Sequence, residues 1–196
     1  MNPGTRSLVG EDGQQFLFDP GSFCLELLLT GGPAQHQRDE LLRAPADLAD
    51  WLAGSRLALA APMADVRVRL TELRQLKEFR DTMWSVARSL VRGDAVEPRY
   101  VELINECAGA TLRPELDPAT GGRRWASPIT GDQILGAAAR DAIELIGQHG
   151  DRLRECHADD CSLLFADTSR PGSRRWCSMQ RCGNRNKVKS YRNRQG

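Results

Sequence analysis

Apolar positions recur at steps of three and four along one long stretch of the chain. Val66, Leu70, Leu73, Leu76, Phe79, Met83, Val86 and Leu90 form a single stripe among charged residues. A helix of about 3.6 residues per turn places such positions on one face. The pattern therefore predicts a long helix from about Ala64 to Val91, closed by Gly93. Shorter stripes predict further helices. "FCLELLLTGG" is an apolar turn or two ended by glycines, and "RAPADLADWLAGSRLA" places Leu48, Trp51 and Leu52 on one side, with Pro45 in the first turn. "EPRYVELINECAG" turns Tyr100, Leu103 and Ile104 inward. "TGDQILGAAARDAIELIGQHG" lines up Ile134, Leu135, Ala138, Ala142, Leu145 and Ile146 and ends at Gly150. Between these helices, "TLRPELDPATGGRRWASP" has two short extended runs around a turn-rich centre, the pattern of a β-hairpin. Residues 1–15 show no such period and are expected to be a flexible leader.

Scarce aromatics and abundant Ala, Leu and Arg fit a mainly α fold with small β elements. Hydrophobic residues at 40% and charged residues at 27% exclude a disordered chain. No apolar run approaches the roughly 20 residues of a membrane span. No secretory signal is visible at the N-terminus, so a cytoplasmic location with reduced thiols is expected. The net charge of +1 conceals a division. Residues 150–196 carry eleven Lys and Arg against five Asp and Glu, a balance of +6, whereas residues 1–149 carry sixteen against twenty-one, a balance of −5. From Thr168 onward there are nine basic residues and no acidic one. An acidic body with a basic end suggests a polyanionic partner for that end, and a solvated terminus gives the same count. The change of sign divides the chain into a leader, a helical regulatory or dimerisation domain over 16–149, and a second domain over 150–196.

Cysteine usage changes at the same place. Cys24 and Cys107 are isolated in helical stretches and read as small hydrophobes. The other four form the pattern C-x4-C-x15-C-x4-C: Cys156, Cys161, Cys177 and Cys182. Two close thiol pairs separated by a short loop are how structural zinc sites are built. Disulfide or redox chemistry is the alternative, and His157 beside Cys156 is a conceivable substitute ligand. Four sulfurs leave no open position, so the zinc is structural. "SLLFADTS", "RPGS" and "RRWC" read as strand, turn and return strand. Cys177 and Cys182 are about 140° apart on a regular helix, so Cys177 is expected at a strand end and Cys182 in the first turn of a helix running from about Met179 to Arg194.

Knuckle, hairpin and helix together resemble a treble-clef zinc finger. "DTSRPGSRRWCSMQRCGNRNKVKSYRNR" closely resembles the CGNR zinc finger, named for the run that is Cys182, Gly183, Asn184 and Arg185 here. The body is similar to the alanine-rich ABATE domain that precedes this finger in stress-induced transcription regulators of bacteria, on "CLELLLTGG", "LLRAPADLADWL" and "LRPELDP". Relatives usually carry Asn before the Thr of the first helix, where this chain has Leu29. The resemblance implies DNA binding by a transcription regulator.

The last helix offers a means. Arg181, Arg185, Lys189 and Arg192 are spaced by four, four and three residues and form one positive face, with Lys187 and Arg194 as a second stripe. Arg174 and Arg175 add charge from the preceding strand. Such a helix, anchored by zinc, suits the major groove or the phosphate backbone. Trp176 is a core residue or a base-stacking platform, and Tyr191 packs on the finger or contacts phosphate. Gly183 permits a close approach behind Cys182, and Asn184 ties the knuckle backbone. Two functions remain open: a DNA-binding regulator, with a homodimer expected on a two-fold operator and an unknown small ligand for the body, or a zinc-stabilised module binding an acidic protein. An enzyme is disfavoured. There is no P-loop, GxGxxG, HExxH or GxSxG, and His36, His149 and His157 form no recognisable triad.

Overall fold

The computed structural model describes residues 2–10, 12–32 and 39–192, with backbone alone for 190–192. The expected helices are present. Phe23–Leu27 (α1) continues into a single 3-10 turn, Leu28–Thr30, and stops at Gly31. Pro45–Leu52 (α2) has proline in its first turn, where the absent N–H is not needed. Leu70–Arg92 (α3) ends at Gly93, whose φ of 75° is the left-handed conformation that glycine adopts without strain. Pro98–Cys107 (α4) buries only Ile104 fully. Gly131–His149 (α5) begins in a true capping box, with Gln133 N donating to Thr130 Oγ1 and Thr130 N donating to Gln133 Oε1.

α1, α3 and α5 enclose the main core, which includes Phe23, Leu25, Phe79, Trp84, Ile134 and Ala138. The hairpin expected in the middle of the chain pairs Pro114–Leu116 (β4) with Arg123–Trp125 (β5). No helix among the described residues is long and apolar enough to cross a membrane.

Three expectations need correction. The long helix starts at Leu70 rather than near Ala64. Val66–Arg67 (β3) is instead extended and pairs in parallel with Ile129–Thr130 (β6). A single apolar residue ahead of the stripe fits the helical period by chance, and the long-range partner captures it. Second, residues 1–15 are not a loose leader. Arg6–Val9 (β1) pairs antiparallel with Gln15–Phe18 (β2), and the hairpin is held because Phe16 and Phe18 turn into a second apolar core. Third, "RRWC" is not the return strand of the finger. Leu164–Ala166 (β8) pairs with Leu153–Glu155 (β7), so the first cysteine pair sits in the connection between these two strands.

Strand β8 joins the two cores. Leu164 and Ala166 point into the main core, and Phe165 points into the second one. This is the period of two that a strand imposes, with apolar residues on both faces. The second core contains Phe16, Phe18 and Leu29 together with Leu163, Phe165, Cys156, Cys177 and Cys182. Leu29 is thus an apolar contact between the helical part and the cysteine cluster.

Candidate metal centre

The four clustered cysteines reach one point by three different local devices. Cys156 follows β7, and its N–H donates to the carbonyl of Leu163 across the hairpin (2.9 Å). The chain then turns tightly, with Cys161 N donating to Ala158 O (3.0 Å), which returns the second sulfur to the first. Cys177 comes from an extended segment tied to this knuckle by His157 N donating to Arg175 O (3.0 Å). Cys182 lies in a π-helical turn, Met179–Gly183, that leads directly into Asn184–Arg192 (α6). In this wider turn the hydrogen bond spans five residues, as in Gly183 N to Ser178 O (3.0 Å). Positions five apart then lie nearly over one another. Cys177 lies just ahead of this turn, at the end of the extended segment, so the two cysteines face the same metal without sharing a regular helix.

The resulting cluster is tetrahedral in size. All four Sγ atoms lie within 4.8 Å of one another, with Cys161 to Cys177 at 3.7 Å and Cys177 to Cys182 at 3.5 Å. Four sulfurs each about 2.3 Å from zinc are about 3.8 Å apart, whereas a disulfide bond is about 2.05 Å long. The donor set therefore fits one structural zinc ion and is too open for a disulfide. Electrostatics point the same way. Hydrogen bonds from the thiols of Cys161 and Cys177 hold Cys156 down to about 2. The contact with Cys156 pushes Cys161 up to about 12, and contacts with Cys156 and Cys161 push Cys177 higher still. Four thiols this close cannot all ionise without a cation between them. Zinc supplies that charge, and three sulfurs in an apolar shell exclude water from it.

Zinc with four thiolates leaves two negative charges, and two guanidinium groups approach them. Arg181 Nη1 lies 3.8 Å and Arg185 Nη2 lies 3.7 Å from Cys182 Sγ. Arg181 is only 4% exposed, lies over the ring of Phe16 at 5.1 Å, and reaches Asp12 at 3.6 Å. Gly10 on the hairpin is small because any side chain there would strike that guanidinium. Groups that hydrogen-bond to metal ligands typically alter metal affinity by about 10–100-fold when lost. Arg181→Met keeps the buried aliphatic bulk and removes the charge. It is expected to weaken zinc retention within that range, read by competition with a chromogenic chelator. Unchanged retention would mean that Arg181 only packs.

The other residues singled out in the sequence separate clearly. Arg174 is not a free cation, because it donates to three backbone carbonyls, those of Asp19 (3.1 Å), Trp176 (3.1 Å) and Cys177 (2.6 Å), and stacks on Phe165. Arg181 is likewise removed from the exposed basic face by burial. Arg175 is exposed, near His157 Nδ1 and the ring of Trp176. His157 itself is exposed and outside the sulfur cluster. Trp176 is half-buried against the second core, as a core residue. Behind Gly183, a side chain would meet Met179 and Trp176. Asn184 donates to Gln180 O (3.4 Å) one turn earlier and does not reach the knuckle. Lys187 is exposed. Lys189 pairs with Asp159 (2.6 Å) and Arg185 with Asp160 (2.7 Å). That ion pair and hydrogen bond raise Lys189 and lower Asp159 from their ordinary values. Arg194 and the side chains of Tyr191 and Arg192 lie outside the described residues.

Sequence reasoning missed Asp12, Phe16 and Phe18. The alternation in "QFLF", following "RSLV" across "GEDG", is a hairpin signal that would have found the strands. Nothing local indicated that their partner lies some 150 residues away.

Comparison with protein families agrees with this geometry. Residues 152–195 match the CGNR zinc finger, zf-CGNR. Residues 21–149 match ABATE, described as "Putative stress-induced transcription regulator". Both are non-enzymatic families. None of the curated proteins compared with the chain matches it. With about two thirds of its length matched by one model and the finger by the other, the chain belongs to the ABATE family and ends in a CGNR zinc finger.

Proposed function

We propose that the protein is a transcription regulator that binds DNA through the zinc-held finger, with helix α6 lying along the phosphate backbone. The observation that carries this reading is a helix anchored at its first turn by the cysteine cluster, with Lys187, Lys189 and Arg185 projecting from it and Arg175 exposed beside it. Both matched families support it. The acids that meet α6, Asp12, Asp159 and Asp160, are at the surface, so phosphates can displace them at small cost. In this reading the helical part, to about residue 149, receives a signal and pairs two copies on a two-fold site. The regulator acts on the nucleoid in the cytoplasm and catalyses nothing.

The test is DNA binding by the full zinc-loaded chain over a range of salt. Each phosphate contact contributes about 0.9 to the slope of log K against log salt. Lys187→Glu with Lys189→Glu is expected to lower the slope by about two and the affinity by about tenfold or more. Weak, sequence-blind binding that ignores this double reversal would sink the reading and favour an acidic protein partner for the same helix.

A further inference from the structure

A cleft of about 480 Å³ lies where the helical part meets the finger. One wall is α5, which contributes Asp141, Glu144 and His149 at helical spacing. The other is the chain around β8 and the turn after it, with Arg152, Ser169 and Arg170. The walls meet at a close approach of backbone. Gly21 sits at a φ of 84°, and a side chain there would run into the carbonyl of Ala166.

Several polar groups around this cleft lack a partner within the protein. The side chains of Glu144 and Arg170, both exposed, make no hydrogen bond or ion pair among the described residues. Asp141 uses one oxygen, Oδ2, to accept from Ser22 Oγ (2.6 Å) and Cys24 N (2.8 Å), which leaves Oδ1 for a ligand. Arg152 uses one N–H on the carbonyl of Ser169 (3.2 Å) and keeps its other donors. Asp167, also in the lining, is already committed to the backbone N–H groups of Ser169 and Arg174.

Asp141 and Glu144 put carboxylates on the α5 wall, whereas the finger wall carries Arg152 and Arg170, with Asp167 beside Arg152 held by backbone N–H groups. A ligand with one charge would satisfy one wall and strand the other. The volume falls within the range of small-molecule sites, about 300–1,000 Å³, and suits something the size of an amino acid with a few waters. We propose that this cleft binds a small zwitterion, an amino acid or an N-methylated relative. Its ammonium group faces Asp141 and Glu144, and its carboxylate faces Arg152 and Arg170. The ligand bridges α5 to the turn that leads into the second cysteine pair. Its consequence for DNA rests on the function proposed above; its binding does not.

Calorimetric titration of the full zinc-loaded chain tests this without DNA. The probes are L-glutamate, L-lysine, L-alanine and glycine betaine, with sodium acetate and methylammonium chloride as the separate halves. At least one zwitterion is expected to bind with a Kd of about 1 mM or tighter, and neither half alone to do so. Glu144→Lys and Arg170→Glu, both at exposed positions, are each expected to weaken that binding by about tenfold or more. Melting curves of both variants confirm that they fold. No heat with any of the four zwitterions overturns the proposal. So does equal binding of a half, or of both well-folded variants.

Discussion

Cys182→Ser, or removal of zinc with a chelator, is expected to open the finger and the N-terminal hairpin together while the main helical core stays folded. Structural zinc contributes about 10–16 kcal/mol of apparent binding free energy in isolated fingers, far more than any single side chain here. The second core cannot make up that loss. It consists of Phe16, Phe18, Leu29, Leu163 and Phe165 packed on three of the ligand cysteines, so its apolar contacts form around the metal. Arg181, pinned between the sulfurs and the hairpin, would lose the thiolate charge on one side and keep only Asp12 on the other. Hydrogen exchange reads the outcome by segment. Amides of β1, β2 and residues 153–189 should lose protection together in the metal-free chain, and those of α3 and the centre of α5 should keep it. Full protection of the hairpin after zinc removal would show that it is held by the helical part alone.

The second large effect is expected at Arg174→Met. Three backbone carbonyls depend on this guanidinium, one of them in the segment between β2 and α1 and one on a ligand cysteine. Methionine fills the space over Phe165 but leaves all three acceptors unmade. Hydrogen bonds to a charged group contribute about 1.5–3 kcal/mol each before overlap, so a loss of about 3 kcal/mol or more is expected. Thermal melting of the zinc-loaded chain measures it. Arg175→Met, one residue on, is the control: that side chain is exposed, and its removal should barely move the melting temperature. Similar shifts for the two variants would refute the assignment of Arg174 as a clamp.

The contrast between Arg174 and Arg175 shows how far the sequence could be read. Both are arginines in an extended basic run, and nothing nearby tells them apart. Local chemistry was legible wherever partners are close in the chain. The C-x4-C-x15-C-x4-C spacing identified the four sulfurs, because a knuckle and a helical turn need only a few residues to form. The stripes from Leu73 to Leu90 and from Ile134 to Ile146 identified α3 and α5, because a helix makes its own hydrogen bonds. Even the difficulty of aiming Cys177 and Cys182 at one metal was visible, although the π-turn that solves it was not.

What stayed hidden depends on partners far away in sequence. Val66 follows the helical stripe yet pairs with Ile129, and the choice lies with the strand more than sixty residues on. The first residues look loose until Phe16 and Phe18 meet the finger. The positive face of the last helix, drawn from spacing alone, loses Arg181 to the second core and shares Arg185 and Lys189 with Asp160 and Asp159. Sequence alone therefore determined the helices, the zinc ligands and the sign of charge at the C-terminal end, since each arises from residues within a turn or two of one another. Tertiary structure decided which cations face solvent, that the hairpin belongs to the metal centre, and that a charge-divided cleft opens at the seam, since burial and pairing are properties of the whole packed chain.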